Sequence, residues 1–187
     1  MGNEVTPNYG KCEYAVSADG KRTATLTFSV SEVLYDIDNM AWVEGDLMDD
    51  AELNHVRHLV QDIAQDGNRD RVMRVMSLAH EEADDLLYPW TREDVPESKS
   101  LDDTLEDNSK FVTNLNVPSS TSVVTINLLL KLIHEYMVCR VLEDWLSVTF
   151  PKSAPVWADK IEALKNQIRD AKRRSTWVTR RPMFPSW

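Results

Sequence analysis

Apolar and polar positions alternate over residues 11–30 on either side of a tight-turn signal. Cys12, Tyr14 and Val16 fall on one face, as do Ala24, Leu26, Phe28 and Val30, with Ala18-Asp19-Gly20-Lys21 between the two runs. Asp-Gly supplies the positive φ angles of a two-residue turn, so the spacing predicts a β-hairpin. A two-stranded ribbon is marginal in water, so this one has to pack on helices or pair with another chain. Its second strand is a candidate edge for augmentation by a neighbour.

Helical periodicity follows. Ser31 is placed to cap a segment with Val33, Ile37, Met40 and Ala41 on one stripe. Asp49 or Asp50 opens a second, carrying Leu53, Val56, Val60 and Ile63 and ended by Gly67. Asn68 restarts a third, with Val72, Val75, Met76, Ala79, Ala83, Leu86 and Leu87, and Pro89 lies just beyond it. Residues 91–118 then turn polar: seven acids between Glu93 and Asp107 stand against Arg92 and Lys99, which predicts a long flexible acidic loop, mobile or ordered by a partner.

Ser119 or Ser120 is placed to cap the longest helix, reaching about Thr149 through Ile126, Leu129, Leu130, Ile133, Met137, Val141, Leu142, Trp145 and Leu146. Phe150-Pro151 breaks it, and Ser153 starts a last helix with Trp157, Ile161, Leu164, Ile168 and Ala171 in one apolar line. So short a turn predicts an antiparallel helical hairpin. Beyond Arg174 the chain reads STWVTRRPMFPSW, whose prolines oppose a helix and whose aromatics show no local periodicity. The pattern as a whole predicts a mainly α fold: a β-hairpin over 1–30, a helical bundle over 31–174 with the acidic loop 91–118, and an extended docking arm over 175–187.

Charge sharpens this picture. The chain has 21 bases and 31 acids, a net −10. From Ala171 onward there are five bases (Lys172, Arg173, Arg174, Arg180 and Arg181) and no acid. Removing them leaves 16 bases against 31 acids, so the body carries −15. Such a body repels nucleic acid over most of its surface. No apolar run approaches the roughly 18 to 20 residues of a membrane span. The start, MGNEVTPNYG, lacks the layout of a secretion signal and fits only the bare myristoylation pattern. Cys12 and Cys139 have no metal-type spacing, which predicts unpaired thiols in a reducing compartment and synthesis in the cytoplasm.

Motifs of catalysis are not found. Glu52 and His55 stand three apart and His55 and His58 share a helix face, which is half of a bundle di-iron element; a second Glu-x-x-His is missing. His80-Glu81-Glu82 is followed by Asp84 where a zinc hydrolase needs His. The histidines therefore read as solvated or capping groups. Cys139 lies mid-helix among Met137, Val138 and Val141, a setting for a buried, inert thiol. The acids of 93–107 lack the alternation and central glycine of a calcium loop. His134-Glu135 and Glu143-Asp144 read as the polar face of the long helix. No enzyme activity, cofactor or metal is expected.

Arg173, Arg174, Trp177, Arg180, Arg181, Met183, Phe184 and Trp187 are the candidate partner-binding residues. Bases interleaved with aromatics suit nucleic acid, and equally suit docking into an acidic, grooved protein. Simple disorder is the bland alternative. A body at −15 favours a protein partner for this arm.

A long helix (LLLKLIHEYMVCRVLEDWLSV), a proline-broken turn and a second helix (VWADKIEALKNQIRDAKRR) resemble the head–tail connector, or neck adaptor, proteins of tailed bacteriophages over roughly residues 48–187. The resemblance is of layout, without a residue signature. It implies a virion protein that assembles as a homo-oligomeric ring, commonly a dodecamer, beneath the portal. Its C-terminal arm would clamp the portal, and other faces would meet further neck or tail proteins. Neither membrane contact nor specific binding of the passing DNA is expected. The alternatives are a small regulatory module whose tail binds nucleic acid, and a metal-dependent helical enzyme resting on His55 and His58.

Overall fold

The computed structural model describes residues 10–16, 22–48, 54–93 and 109–174, with the side chains of 54 and 55 left aside. Strands β1 (Lys11–Val16) and β2 (Arg22–Ser29) pair antiparallel, from Lys11 opposite Thr27 to Val16 opposite Arg22. This is the predicted hairpin; its turn lies outside the described residues. Helices α1 (Val30–Asp46), α2 (Asn54–Gln61) and α3 (Arg69–Leu86) follow, then strand β3 (Lys110–Val117), and last α4 (Val123–Thr149) and α5 (Ala154–Arg174). The fold is mostly helical, with one small antiparallel sheet.

That sheet has three strands in the order β1-β2-β3, and this corrects the reading of 91–118 as one loop. β3 pairs with β2 along its whole length, from Arg22 opposite Val117 to Ser29 opposite Lys110. β2 is therefore the central strand and offers no edge to a neighbour. The alternation of β3 was hidden because Thr113 occupies an inward position between Phe111 and Leu115, and all three are buried. Residues 94–108, which hold most of the acids, lie outside the described residues.

The helix starts differ in detail. α1 begins two residues early, with Ser29 at its N-cap instead of Ser31. The cap of α4 is Ser122, whose hydroxyl accepts the Val124 N–H at 3.3 Å; Ser119 and Ser120 instead sit in a turn closed by Thr121 N–H on the Pro118 carbonyl. Pro118 ends the strand and consumes the first two serines in the turn. Between α2 and α3 the chain makes two single 3-10 turns, 62–64 and 66–68, so Gly67 does not terminate an α-helix.

The central element is α4. Between Leu129 and Leu146 it buries thirteen residues, leaving Lys131, Glu135, Arg140, Glu143 and Asp144 partly or fully exposed, as a helix largely surrounded by neighbours does. α5 folds back on it through the predicted line Trp157, Ile161, Leu164, Ile168 and Ala171. α3 contributes Val72, Met73, Met76, Ala79 and Ala83, and the inner face of β2 contributes Ala24, Leu26 and Phe28 to the same core. The Trp145 indole donates to the Val60 carbonyl at 3.1 Å, tying α2 to α4. Polar residues of α4 have partners: His134 is enclosed, while Glu135 and Asp144 are part-exposed in ion pairs. His134 is 1% exposed and its Nε2 lies 2.7 Å from Asp36 Oδ2, Glu135 accepts from Lys160 Nζ at 2.6 Å, and Asp144 accepts from Arg71 at 2.8 Å.

Candidate docking surface

The end of α5 is held in place by a lysine. Lys172 Nζ donates to the carbonyls of Leu86 (2.6 Å) and Tyr88 (2.8 Å), which end α3 and begin the turn beyond it. A cation on carbonyls left over at a helix C-terminus satisfies acceptors and complements the helix dipole. Burial lowers the Lys172 pKa, and the neighbouring Arg169 and Arg173 lower it further. Of the predicted binding residues, Arg173 and Arg174 are exposed on the last turn of α5, Arg173 lying 3.8 Å from Asp170. Trp177, Arg180, Arg181, Met183, Phe184 and Trp187 lie outside the described residues.

Beside this point opens a cleft of about 450 Å³ between the C-terminal half of α3, the turn after it and β3. Glu81, Asp84, Asp85 and Glu93 supply four carboxylates, Tyr88 and Val112 supply half-exposed apolar surface, and Asn114 completes the strand side. Among the described residues no lysine or arginine lines it. On the other flank of α3, Leu78, Glu82 and Leu86 face Lys165 and Arg169 of α5 across a groove of about 420 Å³.

Under the cleft lies a buried polar cluster. Thr113 Oγ1 donates to Asp84 Oδ1 at 2.7 Å, so it accepts from His80 Nε2 at 2.9 Å. This assigns the proton of neutral His80 to Nε2 and leaves Nδ1 facing Asp84 Oδ2 at 4.0 Å. The ring of His80 stacks on Phe111 at 5.1 Å and meets Phe28 edge-on at 6.1 Å. Burial pushes the Asp84 carboxyl up to about 6; the Thr113 bond opposes this, while Glu81 and Glu93 add to it. Burial lowers the His80 pKa. His80 and His134 are thus buried and hydrogen-bonded, which corrects their reading as solvated groups, whereas His58 is exposed.

Sequence reasoning missed the cleft because one wall of it, Val112 and Asn114, belongs to β3. The signal was Phe111, Thr113 and Leu115 at period two. Burial likewise pushes the Cys139 thiol up to about 11, in keeping with an inert core cysteine. Among the described residues no group of three or more His, Cys, Asp or Glu is arranged to hold a metal ion, and no helix is long and apolar enough to cross a membrane. No protein-family model, curated protein or solved structure matches the chain.

Proposed function

We propose that this chain is a structural subunit of a phage or phage-like particle, a head–tail connector whose copies form a ring between portal and tail and bound the DNA passage. The observation that carries this reading is the α4–α5 hairpin, pinned by Lys172 so that a basic, aromatic arm departs from a fixed point on an acidic body. A connector needs a rigid body to build the ring and a separate arm to reach the next component. An acidic lining lets DNA slide past without adhering. α1 also presents Tyr35, Trp42 and Val43 outward, with Leu47 just past its end, exposed apolar groups suited to contact between ring copies.

Deletion of residues 175–187 tests the proposal. The helical content should persist, because the buried stripes of α3, α4 and α5 pack on one another, while incorporation into particles should be lost. Full incorporation of the shortened chain would refute the arm's assigned role. Retention of the full chain on DNA or RNA, with no affinity for portal protein, would favour a nucleic-acid-binding module instead.

A further inference from the structure

The outer edge of β3 is built to take another strand. Asn116 N–H points away from β2 and reaches the Trp90 carbonyl at 2.7 Å. Backbone groups in an antiparallel strand alternate sides with period two, so the N–H and C=O of Asn114 and Val112 face the same way. Among the described residues, the Asn116–Trp90 bond is the one backbone hydrogen bond on that edge. The edge opens directly onto the acidic cleft, which Val112 and Asn114 line.

We propose that residues 175–181 of the same chain lie along this edge as a fourth strand, with Arg180 and Arg181 against the carboxylates of Glu81, Asp85 and Glu93. The arm starts beside the cleft, since Lys172 holds the carbonyl of Tyr88, a lining residue. Seven extended residues span roughly 23 Å, enough to follow most of β3. Thr176, Trp177, Val178 and Thr179 favour extended backbone, and the first arm residue without an N–H is Pro182, so the seven retain donors for a ladder. Charge is complementary, two arginines against a cleft that no base lines among the described residues. Tethering selects the chain's own arm over a second copy's, because a short linker gives an effective concentration on the order of millimolar. Main-chain pairing then holds the arm in the free subunit, and an outside partner has to displace it. This claim concerns the free subunit and stands independently of the connector reading.

Amide hydrogen exchange resolved by residue, on the full chain, tests it. Val112 and Asn114 amides should be protected, and Arg180→Glu with Arg181→Glu should speed their exchange by at least about tenfold. Thr113 and Leu115 amides, which face β2, should not change, which shows that the fold is intact. Asn114→Pro removes an outward N–H without touching the β2 ladder, and it should likewise free Val112. The protection should be independent of protein concentration. Equal exchange in parent and variants, or protection that grows with concentration, would overturn the proposal; the latter would assign the edge to a second copy.

Discussion

Thr113 places a hydroxyl where the alternation of its strand calls for an apolar side chain, and two buried groups depend on it. Thr113→Val keeps the shape but leaves His80 and Asp84 without their shared partner. Urea unfolding should show a loss of about 1 to 3 kcal/mol, and an unchanged midpoint would mean that the cluster contributes nothing. Asp84 also leaves a signature in pH. Its folded pKa of about 6 lies above the ordinary carboxylate value, so its contribution to stability is complete below that ordinary range and is lost as pH rises through 6. His80 acts in the opposite sense: its lowered pKa gives a contribution present above its ordinary value and lost as pH falls through the lowered one. Asp84→Asn removes the first effect and keeps the second. Relative to the parent, the variant should gain stability between about pH 4 and about pH 7, and a constant difference would contradict the assignment.

Among the elements, helices were legible where their stripes were purely apolar. The line of α5 appears in the sequence as it appears in the core, because a 3.6-residue period survives even when neighbours are unknown. In α3 Val72, Met76, Ala79 and Ala83 do so, while Val75 and Leu86 are only partly buried and Met73 joins the core. β3 was illegible for a local reason: its inward threonine and its polar neighbours Asn114 and Asn116 make a buried strand look like loop. The cluster that satisfies Thr113 comes from α3, far away in sequence, so no window around the strand contains the explanation. Lys172 was counted as part of a charged tail, yet it works as a cap for another helix, a role visible only once α3 and α5 are side by side. Lys172→Met should therefore destabilise the fold by about 1 to 2 kcal/mol, whereas Arg174→Met on the exposed last turn should stay within about 0.5 kcal/mol. Equal effects in thermal unfolding would show that the lysine acts only through charge.

For the molecule as a whole, the division into an acidic body and a basic arm was readable from composition, and the cleft gathers four carboxylates of that body beside the end of α5. The candidate binding residues were legible only as a composition, since most of them lie outside the described residues. In attachment to a partner, large apolar groups are worth about 1.5 to 3 kcal/mol each when fully buried, against about 0 to 1 for an exposed ion pair. Trp177→Ala with Phe184→Ala should thus weaken portal binding more than Arg180→Gln with Arg181→Gln, while the arginine pair should chiefly alter the association rate and its salt dependence. A dominant arginine effect would point to a polyanionic partner. The most direct measurement is the native mass of the chain, alone and mixed with portal protein. Assembly into one closed species, at a whole-number multiple of 21.5 kDa and bound to the portal ring, is the expected result. A monomer that ignores the portal at every concentration would contradict the account.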